Sequence, residues 1–156
     1  MKSLVTYFSC SGRTRKAANI IGEYLNTEVV EIKPEVLYTP KDLNWKDKQS
    51  RSTIEMHNLD IRPKIVNEPI DLTDIDTIYV GFPIWWYIAP TVVNTFLEML
   101  DLTGKTIILF GTAVESDLGE TAKYLENSAK GATLIEGKVF KGNINKDEII
   151  EWLESL

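Results

Sequence analysis

Short, almost continuously apolar runs alternate with amphipathic stretches along this chain. Such runs are typical of strands buried on both faces of a parallel sheet. The amphipathic stretches repeat apolar residues three and four positions apart, as Ala17, Ala18, Ile21 and Leu25 do, which is the helical period. The pattern predicts strands at residues 3–8, 28–32, 77–82, 105–110 and 132–137, and helices at 13–26, 39–58, 90–100, 117–131 and 145–156.

Strands that alternate with helices in this way indicate an α/β fold, a doubly wound parallel sheet with helices on both faces. The 156 residues suffice for one domain with a continuous core, so residues 1–156 are interpreted as a single domain. Sheets of this kind bind ligands beyond the carboxyl ends of their strands, where the strand order reverses. We therefore look for a site in the loops after Phe8, Phe82 and Phe110.

Composition and charge narrow the classes of partner. The chain is 44% hydrophobic and 26% charged, with a formal net charge of −6. Its basic residues are scattered, with Lys46, Lys48 and Arg51 the densest group, so we expect no nucleic-acid partner. No apolar run is long enough to cross a bilayer, and we expect no membrane partner. A single cysteine, Cys10, excludes an internal disulfide and favours the cytoplasm.

The loop after the first strand reads S-C-S-G-R-T, residues 9–14. A turn that enters a helix presents backbone N–H groups and the positive end of the helix dipole, which together suit a phosphate. Ser9, Ser11 and Thr14 add hydroxyl donors, and Gly12 permits close approach of the backbone. The motif is neither a P-loop nor a dinucleotide fingerprint. It could equally be a plain helix start capped by Ser11, and the motif alone leaves both interpretations open.

The loop after the third strand reads F-P-I-W-W-Y-I-A-P, residues 82–90. Two adjacent tryptophans cannot both point into one core, so at least one of them covers something else, such as a flat aromatic ligand. A hydrophobic lid or an oligomer interface is the alternative. After the fourth strand, residues 111–119 could offer backbone amides and carbonyls to the polar edge of a ligand, although such a loop is also an ordinary strand-to-helix connection.

Together the three loops suit flavin mononucleotide (FMN), because its phosphate, ring face and pyrimidine edge each find one loop. The motifs also resemble those of small flavodoxin-like FMN proteins: Y-F-S-x-S-G-x-T at 7–14, G-F-P-I-W-W at 81–86, A-P at 89–90, N-T-F-L-E at 94–98 and L-T-G-K-T-I at 102–107. The resemblance implies a flavodoxin-like five-stranded parallel sheet of order 2-1-3-4-5 that binds FMN without a covalent bond.

The resemblance also implies which residues contact the cofactor. The phosphate contacts are Ser9, Cys10, Ser11, Gly12, Arg13 and Thr14. The ring contacts are Pro83, Ile84, Trp85, Trp86 and Tyr87. The edge contacts are Thr112, Ala113, Val114, Glu115 and Ser116.

The chain departs from the family pattern at three places. Arg13 stands where asparagine is usual, but this position mainly offers its backbone N–H, so phosphate binding should survive. Tyr87 stands where glycine is common; positive φ costs a non-glycine residue about 1–2 kcal/mol, which disfavours a stabilised one-electron form of the flavin. Glu115 lies in a loop that is usually rich in glycine and serine, and its charge would lower the flavin potential.

Three functions remain open at this stage. The first is an electron carrier that serves a redox partner protein. The second is an NAD(P)H-dependent reductase of quinones or other small acceptors, with Tyr38 and Trp45 as a wall on the substrate side. The third is a non-redox phosphate- or nucleotide-binding module that has lost FMN. We expect a monomer or a weak homodimer, and no metal site, since the chain has one histidine, His57, and one cysteine.

Overall fold

The computed structural model describes residues 2–156. Its strands are β1 (Lys2–Tyr7), β2 (Val29–Glu31), β3 (Ile75–Pro83), β4 (Thr106–Ala113) and β5 (Thr133–Lys141). Its α-helices are α1 (Arg13–Leu25), α2 (Arg51–His57), α3 (Thr91–Glu98), α4 (Thr121–Leu125) and α5 (Lys146–Ser155). None of the helices within this range is long and apolar enough to cross a membrane.

The five strands form one parallel sheet of order β2-β1-β3-β4-β5, which confirms the predicted architecture and strand order. The order reverses between β1 and β3, because the chain first moves outward to β2 and then returns to the other side of β1. The ends of β1 and β3 therefore lie side by side, with Tyr7 paired to Gly81, and the end of β4 follows next to them. This arrangement brings together the three loops that the sequence singled out.

Side chains that alternate along the strands enter two separate cores. Leu4 and Val5 are neighbours in β1, yet Leu4 packs on the face covered by α3 and α4, and Val5 on the face covered by α1 and α5. Both side chains are almost fully buried. Burial on both faces explains why the strands are apolar at consecutive positions.

The predicted helix at residues 39–58 is wrong over most of its length. Only its last part is helical, as α2 (Arg51–His57). Ser50 is the N-cap residue of this helix, and its Oγ accepts a hydrogen bond from the backbone N–H of Thr53. Upstream, the side chains of Asp42, Asn44 and Asp47 accept bonds from nearby backbone N–H groups. Such local bonds compete with helix formation, so the segment folds as successive turns.

The predicted helix at 117–131 is also shorter than expected. Asp117 does not cap it, because its Oδ1 accepts from the N–H of Gly119 in a local turn, 2.8 Å away. The helix α4 begins only at Thr121, and a single 3-10 turn at Glu126–Ser128 follows it. The freed residues lengthen the loop after β4, which belongs to the candidate site.

Strand β5 runs four residues beyond its predicted end, and a bulge allows this. The pairing shifts between Leu109 and Phe110, which face Glu136 and Lys138, so Gly137 is the extra residue. A Cβ on Gly137 would lie 2.1 Å from the carbonyl oxygen of Leu109 and 2.6 Å from the Trp152 ring. Only glycine fits at this crossing.

Replacing Gly137 with alanine is expected to lower the free energy of unfolding by about 1–3 kcal/mol, because the new methyl group overpacks the bulge. Urea unfolding followed by circular dichroism measures this change. Glu136→Ala, at the exposed neighbouring position, is the control and should change stability by less than about 0.5 kcal/mol. Equal stability of the two variants would contradict the close approach seen at the bulge.

Candidate functional site

The turn after β1 is a helix start without a side-chain cap. Gly12 is the N-cap residue of α1, with φ 92°, and no side chain caps the helix. Ser11, which the plain interpretation made the cap, is exposed instead. Ser9 orders the turn, since its Oγ accepts a hydrogen bond from the N–H of Gly12 at 3.1 Å. The structure therefore decides against the capping interpretation.

The first turn of α1 keeps its backbone donors free. No group among residues 2–156 accepts a hydrogen bond from the N–H groups of Arg13, Thr14 or Arg15. A Cβ built on Gly12 would meet nothing within 4 Å, so the space beside Gly12 is open. Free amides at a helix N-terminus beside open space are suited to an anion such as a phosphate.

Two side chains of the turn face neighbouring loops and not the open space. The hydroxyls of Thr14 and Thr112 lie 2.7 Å apart and are buried, so they link α1 to the end of β4. The Arg13 guanidinium donates to the carbonyls of Ala113, at 3.4 Å, and Gly142, at 3.2 Å. Of the predicted phosphate contacts, Thr14 and Arg13 thus have side chains that bond to neighbouring loops, and only their backbone N–H groups remain for a ligand.

The paired tryptophans of the loop after β3 separate as predicted. Trp85 points inward, where its ring contacts Phe8 and Tyr38 edge to face at centroid distances of 5.9 and 5.4 Å. Trp86 points outward, with 39% of its surface exposed. Pro83 and Ile84 are half-buried. Tyr87 is exposed as well, so Trp86 and Tyr87 are the predicted ring contacts with aromatic side chains free to stack on a ligand.

The tip of this loop holds two non-glycine residues in the left-handed region. Trp86 has φ 49° and Tyr87 has φ 66°. Backbone hydrogen bonds between Trp85 and Ile88, at 3.0 and 3.1 Å, close a two-residue hairpin around them, and positive φ at both central residues is typical of a type I′ turn. The sequence argument treated positive φ at Tyr87 as unfavourable, yet the structure adopts it. Strain of this kind concentrates at functional sites.

The loop after β4 packs against this strained tip. Gly119 has φ 51°, and a Cβ on it would lie 2.4 Å from the carbonyl oxygen of Tyr87. The same oxygen accepts a hydrogen bond from the N–H of Glu120 at 3.3 Å. Between β4 and this contact, Val114 is 71% exposed, Glu115 is exposed and Ser116 is half-buried. Thr112 and Ala113, by contrast, are buried and serve the framework of the site.

A buried polar cluster attaches the segment at 34–69 to the site. The Tyr38 hydroxyl donates a short hydrogen bond to Glu55, and Arg51 pairs with the same carboxylate at 3.0 Å. The Arg51 guanidinium also lies 3.7 Å from the centre of the Tyr38 ring. Burial, and then the bond to Glu55, raises the pKa of Tyr38, so this hydroxyl stays protonated. The segment is thereby ordered beside the phosphate turn.

Cys10 lies near this polar cluster, and the start of α1 does not lower the pKa of its thiol. Burial raises the pKa of its thiol to about 12; the charge of Arg51 opposes the shift and that of Glu55 adds to it. The side chain is half-buried against the core. Cys10 is therefore a packing residue of the turn.

Sequence reasoning missed Arg51 and Glu55 as members of the site. Their i, i+4 spacing is also that of an ordinary ion pair on a helix surface. Nothing local indicated that Glu55 is buried or that it bonds to Tyr38, seventeen residues earlier. His57, at the end of α2, is exposed, and the centre of its ring lies 6.0 Å from that of the Trp86 ring. Within residues 2–156, no group of three or more His, Cys, Asp and Glu side chains could hold a metal ion.

Comparison with known protein families and solved structures supports the interpretation of these loops as a ligand site. The sequence profile of a flavodoxin family matches residues 2–156. The chain belongs to the flavodoxin family. This assignment confirms the resemblance inferred from the motifs, and with it FMN as the predicted cofactor. A search among curated proteins finds no match.

Solved structures of flavodoxin-like proteins share the fold. A candidate flavoprotein of Bacteroides uniformis ATCC 8492 is 38% identical, with a TM-score of 0.92 over 98% of this chain and 97% of that one. One from Bacteroides eggerthii DSM 20697 is 35% identical, with a TM-score of 0.89 over 99% and 96%. A flavoprotein of Lactobacillus acidophilus NCFM in complex with FMN is 22% identical, with a TM-score of 0.70 over 97% and 98%.

The contact of Gly119, in the loop after β4, with Tyr87, in the loop after β3, predicts that a substitution at Gly119 weakens FMN binding. Gly119→Ala should weaken FMN binding about tenfold or more, because the new methyl group displaces the Tyr87 tip. Gly104→Ala is the matched control: Gly104 also has positive φ, at 76°, but a Cβ there meets nothing within 4 Å. Positive φ should cost each variant about 1–2 kcal/mol of stability, and Gly119→Ala should lose more because its methyl group also overlaps Tyr87. Titration with FMN, followed by flavin fluorescence, separates them, and equal affinities would refute the role of the contact.

Burial of Cys10 predicts slow alkylation. At about pH 8 the folded protein should react with iodoacetamide roughly 30-fold more slowly than a free thiol. The thiolate fraction is about a thousandfold smaller, and the greater nucleophilicity of the more basic thiolate offsets part of this loss. Since the pKa is raised to about 12, the rate should keep rising beyond the pH at which a free thiol levels off. Mass spectrometry of timed samples measures the rate, with urea-unfolded protein as the control. Equal rates for folded and unfolded protein would contradict the assigned environment.

Proposed function

We propose that this flavodoxin-family protein is a redox protein that transfers electrons through non-covalently bound FMN. The observation that carries the proposal is the start of α1, where no group among residues 2–156 accepts a hydrogen bond from the N–H groups of Arg13, Thr14 and Arg15, and where the space beside Gly12 is open. A helix with a satisfied cap would have no need of an anion there. The aromatic hairpin lies at the same edge of the sheet, which suits a ligand that is both a phosphate and an aromatic ring.

The residues present fit FMN in a consistent way. The amides of the α1 start and the exposed hydroxyl of Ser11 would hold the phosphate. The exposed rings of Trp86 and Tyr87 would cover the flavin, and the loop from Val114 to Ser116 would bond its polar edge. FMN supplies the redox chemistry when bound, and the chain sets its affinity, its access to partners and its potential.

The charge of the protein favours a low potential. The net charge is −6, and Glu115 is exposed in the loop proposed to meet the flavin edge. Negative charge near a group that becomes anionic on reduction opposes that reduction. A low potential suits a donor of electrons, whether the recipient is a partner protein or a small molecule.

A reductase of small acceptors is the second candidate, and the ordered segment at 34–69 favours it. Tyr38 and Arg51 fix this segment against Phe8 and Trp85, so it forms a wall beside the aromatic loop. Such a wall defines a cleft for a small molecule more readily than a flat surface for a protein. NAD(P)H is the proposed electron source in this case, and a cytoplasmic location, expected from the single cysteine, would provide it.

The third candidate, a module that has lost FMN, predicts a different protein as purified. It would be colourless and would gain no thermal stability from FMN. Stepwise anaerobic reduction of the FMN-bound protein then separates the first two candidates. A one-electron form that builds up midway supports the carrier, whereas direct bleaching to the two-electron form, and bleaching by NADH or NADPH, supports the reductase.

Phosphate recognition is tested by comparing FMN with riboflavin, which lacks the phosphate. Ser11→Ala should weaken FMN binding about tenfold, because a hydrogen bond to a charged group contributes about 1.5–3 kcal/mol. Riboflavin affinity should not change. Flavin fluorescence titration gives both constants from the same protein sample. An equal loss for both ligands, or none for either, would remove Ser11 from the phosphate site.

A further inference from the structure

A groove with a volume of about 790 Å³ opens between the segment at 45–58 and the tip of the aromatic loop. Trp86 is the sole member of its lining among the residues that the sequence assigned to FMN. The other lining residues come from the turns before α2 and from α2 itself. This size lies within the range of small-molecule sites, about 300–1,000 Å³, and is too small for a folded partner.

Two indole rings give the groove its aromatic character. Trp45 is 66% exposed and Trp86 is 39% exposed, and Ile54, at 49%, lies with them in the lining. Trp86 is kept outside the core by the hairpin at 85–88, in which Trp86 and Tyr87 both adopt the unfavourable left-handed conformation. Exposed indoles held in this way gain most from a flat ring that stacks on them.

The charge of the groove is opposite to that of the whole protein. Lys46, Lys48 and His57 line it, and no carboxylate does. Within residues 2–156, neither lysine lies within 4.0 Å of a carboxylate oxygen, and the Lys46 ammonium lies 5.4 Å from the Trp45 ring. The nearby carboxylate of Asp47 accepts a hydrogen bond from the backbone N–H of Gln49. A cationic, aromatic groove on a chain of net charge −6 selects a negatively charged aromatic ligand.

We propose that this groove binds a flat aromatic small molecule with an anionic substituent. The rings would stack on Trp45 and Trp86, and the anion would lie near Lys46 and Lys48. An acidic quinone-like acceptor and the nicotinamide nucleotide both have this chemistry. The role of the ligand as a substrate rests on the proposed flavin function. Its binding rests on the groove residues, and among them Trp86 is also proposed to contact the flavin.

The test uses a charged and a neutral version of one ring system. Anthraquinone-2-sulfonate, 2-(hydroxymethyl)anthraquinone and NADP⁺ are titrated into the oxidised, FMN-loaded protein by calorimetry in about 0.1 M salt. Wild type should bind the sulfonate about fivefold more tightly than the neutral compound, since each exposed ion pair contributes about 0.2–1 kcal/mol. Tighter binding of the sulfonate than of NADP⁺ identifies an acidic acceptor as the ligand, and the reverse identifies the nucleotide.

Variants assign the binding to the groove. Lys46→Gln combined with Lys48→Gln should abolish the preference for the sulfonate and leave the affinity of the neutral compound unchanged. Trp45→Ala should weaken both. Lys41→Gln is the control. Lys41 is an exposed lysine of the segment at 34–69 that does not line the groove, so this variant should behave as wild type.

Equal affinity of wild type for the two anthraquinones, no binding of either, or no effect of Trp45→Ala would overturn the proposal. The flavin absorbance of each sample shows whether FMN is bound, and a parallel titration of FMN-free protein shows whether ligand binding requires it. If FMN does not bind but the sulfonate does, the flavin function fails and the groove remains. If FMN binds and the sulfonate does not, the groove proposal fails alone.

Discussion

The buried hydrogen bond between the hydroxyls of Thr14 and Thr112 fixes the arrangement of the whole site. It joins the first turn of α1 to the end of β4, and neither side chain has access to water that could replace it. The carbonyl of Thr112 also accepts a bond from the N–H of Ile84, at 3.1 Å, so one residue connects all three loops. Buried polar groups must be paired, and this requirement holds the loops in register with one another.

Much of this could be predicted because the relevant signals are local. The apolar runs placed β1, β3 and β4 well, and parallel topology then brought the three loops to one edge. Trp85 points inward and Trp86 outward, and the adjacency of the two residues was enough to predict that they would separate. These features need no knowledge of distant residues, and for this reason they were predicted correctly.

The failures have a common physical cause, which is competition between local and distant bonds. The stretch at 39–58 has the composition of a helix, but the Asp and Asn side chains in its first half bond to their own backbone. The burial of Glu55 depends on Tyr38 and Arg51, whose positions depend in turn on Phe8 and Trp85. Long-range pairing of this kind leaves no periodic trace in the sequence, so the cluster beside the site could not be predicted.

The bulge at Gly137 has a consequence for contacts between molecules. β5 is an edge strand of the sheet, so one side of its backbone has no strand partner among residues 2–156. Long, flat edges of this kind recruit strands from other chains. Here the edge is bent at the bulge and carries the charges of Glu136, Lys138 and Lys141. The irregularity that fits β5 around Leu109 therefore also discourages growth of the sheet by addition of a second molecule.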